Sequence, residues 1–351
     1  MRRTRVVVLS ALFLSACTLQ RWQPAKATAM DDHMLHMSAA DMRAPTVSAS
    51  TSQGTPGFPA SNNNAAARLA ASPRHGEWVK IALTAGSADS IMAWIVYPKA
   101  GGKAPVVVVV HEIFGLSTWV RGVADQVAAD GFIAIAPDFL SRVRGGPSTV
   151  ELASDSATKL IRGVNTTEQA AVIDAAANYA MMLPAAQQKY AVIGYCWGGS
   201  ATWSHAINGG VMGFSGGVAF YGTPYTAGGG RATAGTPATP ATLIADSMAK
   251  INKPIMLLSG SKDARITALM PAIDSAMKAL KKPYDYRNYE GAIHGFLRAQ
   301  DDVKAPSADP DPAKKAAADA ANRAEEAANL AGVKDGWPRT IAFLKKNLGV
   351  K

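Results

Sequence analysis

The hydrophobic pattern of the chain becomes regular near residue 76 and then alternates between two periods. "GEWVKIAL" and "SIMAWIVYP" switch between apolar and polar positions, as the two strands of an antiparallel hairpin do. "APVVVVVHEIFG" then breaks the alternation with five consecutive valines, Val106 to Val110, the pattern of a strand buried on both faces. "STWVRGVADQVAADG" has helical spacing and closes on Gly131, a residue suited to ending a helix. The same rhythm continues. "FIAIAPDF", "KYAVIGY", "GGVAFYG", "KPIMLLSGSKD" and "YDYRNYEGAIHGF" read as strands with their following loops. "TTEQAAVIDAAANYAMMLP", the segment after Cys196, "AIDSAMKAL" and "WPRTIAFLKKNL" read as helices, the first capped by Thr166 or Thr167. Strands alternating with helices predict an α/β fold with a mostly parallel central sheet covered by helices on both faces.

Two stretches interrupt the rhythm. Residues near 225–247 are rich in glycine, threonine and alanine, and residues near 301–335 begin as a polar loop and become an alanine-rich helix. Both follow strands, so both are placed to shape the edge of a site. Upstream, residues 18–74 show no hydrophobic period, and their serine, threonine, proline and asparagine content predicts a disordered tether. Inside it, His33, Met34, His36 and Met37 offer ligand types that suit copper, although a polar patch is the plainer reading.

The first 17 residues set the expected compartment. "MRRTR" followed by "VVVLSALFLSA" is a basic segment and an apolar run too short to span a bilayer, the form of an export signal. The run ends in "LSAC", which resembles a bacterial lipobox and makes Cys17 the candidate lipidation site. Thr18 follows, with no aspartate, and by resemblance to lipoprotein sorting this points to the periplasm and an outer-membrane anchor. The chain has 351 residues, 48% of them apolar, and a net charge of +10 that is scattered rather than striped, with no nucleic-acid-binding motif. It has two cysteines. A bridge from Cys17 to Cys196 would tie a tether to a glycine-bounded turn and is not expected. With Cys17 lipidated, Cys196 is left as a reduced thiol in an oxidising compartment, which calls for a function or for burial.

Gly194-Tyr195-Cys196-Trp197-Gly198 fits the G-x-nucleophile-x-G turn between a strand and a helix. In such a turn the nucleophile is raised above the sheet, and the N–H of the next residue, here Trp197, points at a developing oxyanion. The helix start also favours a thiolate. Chain order then selects partners. Asp263 lies just past a strand in "LLSGSKDARI", and His294 lies in the loop of "YEGAIHGFLR". Asp274 and Asp285 fall inside predicted elements. His75, His111 and His205 precede the acid and break the nucleophile, acid, histidine order.

"HEIFG" at His111–Gly115, "PDFLSR" at Pro137–Arg142, "GYCWGG" at Gly194–Gly199 and "HGFLR" at His294–Arg298 together resemble the dienelactone hydrolases, or carboxymethylenebutenolidases, of the α/β-hydrolase fold. The resemblance covers about Gly76 to Asn347 outside the two insertions. It implies Cys196 as nucleophile, His294 as base and later acid, and Asp263 as its orienter. It further implies Glu112 as the carboxylate that keeps the resting thiol protonated, and Ile113 N–H as the second oxyanion donor. Arg142 and Arg298 match the pair that grips a substrate carboxylate, with Arg144 as a rival for Arg142. The export region, the insertions and the bulky Trp197 depart from the family pattern.

The expected protein is therefore an exported hydrolase domain at residues 75–351, cleaving a lactone or ester of small size through a thioester, with no metal or organic cofactor implied. Its other partner is the membrane, through the lipid on Cys17. A non-catalytic periplasmic binding protein for small carboxylates, or an esterase acting on envelope or xenobiotic esters, are the alternatives.

Overall fold

The computed structural model describes residues 54–99, 101–148, 154–228 and 239–350. The export segment, Cys17 and the His/Met cluster lie outside the described residues.

Strands β1 (Gly76–Ala82) and β2 (Ser90–Val96) pair antiparallel over their full length, as the alternating pattern predicts. The remaining strands of the sheet are β3 (Ala104–Val110), β4 (Ile133–Asp138), β5 (Ala186–Tyr195), β6 (Phe214–Phe220), β9 (Ile255–Gly260) and β10 (Tyr284–Tyr289). Strands β7 (Thr226–Ala227) and β8 (Thr242–Leu243) form a separate two-stranded ribbon in the first insertion. The sheet order is β1-β2-β4-β3-β5-β6-β9-β10, and every pair from β4 onward is parallel.

Every residue of β3 and β4 is buried. Successive side chains point to opposite faces, so helices must cover both. Val106 to Val110 have no exposed surface, and each buried valine contributes about 1.5–3 kcal/mol relative to an exposed one. Helix α2 (Thr118–Ala129) starts at Ser117, whose side chain accepts the Val120 N–H, and stops before Gly131 at φ 100°. Helix α3 (Ser141–Arg144) is one turn, and α4 (Ser154–Ile161) follows. Helix α5 (Thr166–Met181) is capped by Asn165, one residue before the expected threonines, because the Asn165 side chain accepts the Glu168 N–H. Helix α6 (Trp197–Asn208) leaves β5 directly, and α7 (Ala264–Ala279) leaves the loop after β9.

The second insertion and the expected closing helix are one element. Helix α8 (Pro312–Leu348) runs continuously through Pro338, and Thr340 Oγ1 donates to the Gly336 carbonyl. Asp311 caps its start and Gly349, at φ 74°, its end.

The tether expected to reach residue 74 ends earlier. Residues 59–74 are packed on the domain and include a short helix, α1 (Ala65–Ala70). Ala60 and Ala65 are buried against Gly122 of α2, Trp119 Nε1 donates to the Ala60 carbonyl, and Arg74 pairs with Asp125. The composition misled because the contacts are made by asparagine side chains and small alanines, which carry no hydrophobic period.

Candidate active site

The parallel strands all deliver their C-terminal ends to one edge of the sheet, where open α/β sheets place their sites. The order puts β5 between β3 and β6, so the residue after β5 is flanked by the loops of both. That residue is Cys196. It sits at φ 56°, ψ −117°, a left-handed conformation that few side chains adopt, and its N–H donates to the Phe220 carbonyl at 3.0 Å. The glycines around it are required by space. A Cβ at Gly194 would run into the Gly198 carbonyl, and one at Gly198 into those of Val110 and His111. The turn thus lodges between β3 and β6, and the sulfur is held at the first residue before α6, beside the positive end of that helix.

Asp263 follows β9, where its side chain also caps α7 by accepting the Ile266 N–H. His294 follows β10. Its Nδ1 lies 2.6 Å from Asp263 Oδ2, with both side chains almost fully buried. Burial works against charge on each partner, yet both are driven toward the ion pair. Arg265, 3.5 Å from the same Asp263 oxygen, and His294 hold the carboxyl well below its ordinary range. Asp263 and Cys196 push the His294 imidazole up to about 10. The other ring nitrogen, Nε2, is buried, and Cys196 interacts with the same imidazole.

Glu112 follows β3 and is buried. Arg298 Nε lies 3.5 Å from Glu112 Oε1, and the guanidinium sits over the Phe114 ring at 5.5 Å. Arg298 is itself buried, and its Nε and Nη1 have no hydrogen-bond partner among the described residues. Despite burial, Glu112, Tyr221 and Cys196 raise its pKa. The N–H groups of Ile113 and Trp197 are taken by no protein acceptor among the described residues.

Arg142 is elsewhere. It lies in α3 and makes three hydrogen bonds, of 2.6 to 2.8 Å, to Asp89 and Glu168. Together these line a surface cleft of ≈ 410 Å³ with Lys80, Ser90 and Ser141, none of which belongs to the group around Cys196. Asp89, an acidic residue in the turn between β1 and β2, is the partner that spacing could not reveal. The rival Arg144 donates to the Pro147 carbonyl.

His111 is structural. Its Nδ1 pairs with the Glu112 carbonyl at 2.6 Å, its Nε2 accepts the Phe139 N–H, and burial lowers its pKa. The neutral ring stacks on Trp197 at 5.9 Å. Trp197 is therefore buried between His111 and Phe139 rather than projecting into the opening.

Three residues here were missed in sequence. Tyr221 follows β6 at φ 40°, with its ring 4.8 Å from His294 and its buried hydroxyl without a hydrogen-bond partner among the described residues. Burial, then Glu112, drives its pKa far up, so the phenol stays neutral. Its position directly after the strand beside β5 was the available signal. Asn329 and Glu325 belong to α8. Asn329 accepts the Ile293 N–H, and Glu325 binds Lys262 at 2.8 Å and also Lys304, so the second insertion braces the loops of both Asp263 and His294.

A family model described as the dienelactone hydrolase family matches residues 91–348. A Methylorubrum extorquens protein named as a carboxymethylenebutenolidase is 29% identical over 208 residues, covering 59% of this chain and 68% of its own. An Escherichia coli K12 protein of the same name is 27% identical over 265 residues, covering 75% and 85%. The crystal structure of a Klebsiella pneumoniae protein named as a dienelactone hydrolase superposes with a TM-score of 0.55 at 23% identity, covering 78% of this chain and 99% of the other.

Proposed function

We propose that this chain, which belongs to the dienelactone hydrolase family and is a carboxylic ester hydrolase, cleaves a lactone or ester through a thioester on Cys196. One observation carries the reading: Cys196, at positive φ just before α6, interacts with the imidazole of a buried 2.6 Å His294–Asp263 pair.

In this mechanism the Cys196 thiolate attacks the carbonyl carbon, and the new oxyanion accepts the N–H groups of Ile113 and Trp197. The intermediate collapses, the carbon–oxygen bond to the leaving alkoxide breaks, and His294 gives that alkoxide its proton. A raised imidazole pKa suits His294 to this acid step. Water then attacks the thioester while His294 takes its proton, and Cys196 departs with the acid released. Asp263 fixes the ring orientation throughout.

Glu112 acts before the first bond forms. Its ion pair with Arg298 is long, and Arg298 has donors to spare. A substrate carboxylate binding Arg298 competes for that guanidinium, and the released Glu112 takes the thiol proton. The substrate's own charge thereby arms the nucleophile, which spares a resting thiol from oxidation. Arg298 alone fills this role, since Arg142 is engaged by Asp89 and Glu168.

Export and lipidation of Cys17 belong to the same proposal, supported by the N-terminal sequence pattern. Palmitate incorporation lost in Cys17→Ser is the expected result, and unlabelled wild-type protein would remove that part. The catalytic reading is tested with mono(p-nitrophenyl) succinate, whose free carboxylate can engage Arg298. Wild type should form an acyl adduct on the Cys196 peptide, detectable by mass spectrometry after acid quench. Cys196→Ala should form none and lose several powers of ten in turnover. Near-native turnover in that variant would overturn the mechanism.

A further inference from the structure

Neither the fold nor the proposed chemistry requires the segment before β1 to touch the turn that carries His294 and Arg298, yet it does so densely. The Asn62 N–H donates to the Arg298 carbonyl at 2.9 Å, and Gln300 Nε2 donates to the Pro59 carbonyl at 3.2 Å. Asp301 is the hub. It accepts Ser61 Oγ at 2.6 Å, Asn63 Nδ2 at 3.2 Å and Asn64 Nδ2 at 3.2 Å, and Asn63 also reaches Asp302 at 3.0 Å. The run Ser61-Asn62-Asn63-Asn64 is thus not tether: the side chains of Ser61, Asn63 and Asn64 meet two consecutive aspartates, and Asn62 gives its backbone N–H to Arg298. It is itself seated, because Ala60 is buried and its carbonyl is held by Trp119, whose ring packs on Tyr195 at 5.0 Å, one residue before Cys196.

We propose that residues 59–64 form a clasp that positions the Arg298 guanidinium for the substrate carboxylate. The inference rests on the reading of Arg298 given above. The two key side chains of this turn are anchored differently. His294 is fixed at its own ring by Asp263 at 2.6 Å. Among the described residues the Arg298 guanidinium has one ion pair, the 3.5 Å contact with Glu112, and lies over the Phe114 face, with no hydrogen bond made by Nε or Nη1. Its place is therefore set mainly through its backbone, and the backbone carbonyl is what the clasp holds. Loosening the clasp should blur Arg298 and leave His294 in register. Residues 59–64 act here as positioning residues, not catalytic ones.

The test uses the full chain and two substrates with one leaving group, mono(p-nitrophenyl) succinate and neutral p-nitrophenyl acetate. Asp301→Ala should raise KM for the succinate about tenfold, with kcat and all acetate kinetics within about twofold of wild type. Asp301→Asn, which keeps an acceptor for Ser61, should recover most of the loss. Asn63→Ala removes two bonds at the edge of the clasp, should lower KM selectivity in the same direction by a smaller factor, and serves if Asp301→Ala folds poorly. Amide hydrogen exchange over residues 293–302 should be faster in both alanine variants. Unchanged succinate KM and unchanged exchange would overturn the clasp, as would equal losses on both substrates. Arg298→Ala separates the premise: if it spares the succinate-to-acetate ratio, the carboxylate reading of Arg298 fails, whereas a collapsed ratio in Arg298→Ala with an intact ratio in Asp301→Ala overturns the clasp alone.

Discussion

Two histidine–aspartate pairs lie in this molecule, at opposite ends of α6, and they behave in opposite ways. At the start of the helix, His294 and Asp263 are 2.6 Å apart with neither side chain more than 3% exposed. At its end, His205 Nδ1 is 3.8 Å from Asp174 Oδ1, and Asp174 is 31% exposed. The first imidazole is pushed up to about 10 and the second down to about 3. Asp263 is driven below its ordinary range, while burial lifts Asp174 to about 6. Burial is nearly complete for both rings, so desolvation cannot explain the difference. What differs is the charge that faces them. His294 meets a carboxylate at hydrogen-bond distance, supported by Arg265, and the Cys196 sulfur as well. His205 meets the Tyr190 hydroxyl at 2.8 Å and a carboxylate beyond hydrogen-bond reach. A low-dielectric interior amplifies whichever term is present: close opposite charge stabilises an ion pair, and without it burial pushes each group toward its neutral form. Composition alone would class the pairs together.

The sharpest way to break this comparison is to neutralise each aspartate. Asp263→Asn should lower kcat by about four powers of ten, because the ring loses the partner that fixes its tautomer and stabilises its charge. Asp174→Asn should leave kcat within about twofold. Steady-state kinetics on both variants decides it, and comparable losses would mean that His205 belongs to the chemistry. A smaller effect is expected at Arg298, where alanine should cost about ten- to a hundredfold in kcat/KM on a carboxylated ester and little on an acetate.

The smallest effects concern pH and stability, where the two pairs should run in opposite directions. His294 has a raised pKa, so its contribution is fully present below about pH 6.5 and is lost as pH rises from there toward about 10. Asp263 has a lowered pKa, so the stability of the same coupled pair is also lost in acid, below about pH 4. Thermal unfolding of wild type should therefore weaken more steeply above pH 7 than that of His294→Gln. His205 has a lowered pKa, so the unfolded chain takes up its proton first, and stability falls as pH drops from about 6.5 toward about 3. The raised pKa of Asp174 opposes this, adding stability as pH falls through about 6. Between pH 6.5 and 4, His205→Phe should lose less stability than wild type; an identical slope would mean that His205 does not stay neutral in the folded protein.

These differences mark the limits of sequence reading. The places of Cys196, Asp263 and His294 just after strands were legible because order along the chain is a one-dimensional fact, and the parallel sheet brings strand ends to one edge. The five valines of β3 were legible because burial on both faces leaves no polar positions. The glycines at 194 and 198 were legible because only they let the turn lodge between β3 and β6. Asn165 in place of a threonine cap, and the single α8 in place of two helices, were near misses at boundaries that local hydrogen bonds decide.

What sequence alone determined, then, is the hydrolase family and the chain order of Cys196, Asp263 and His294, since a glycine-bounded turn and positions after strands are fixed by local residue type and spacing. Tertiary structure alone decided which charges meet. Arg142 and Arg298 both follow strands within a plausible motif, yet one is held by Asp89 and Glu168 and the other lies beside Glu112 with donors to spare. Residues 59–64 have no hydrophobic period, yet they hold the turn that carries Arg298. Electrostatic and hydrogen-bond partners are chosen by distances of a few ångströms between segments far apart in the chain, as Ser61 and Asp301 are, and no local periodicity encodes such a distance.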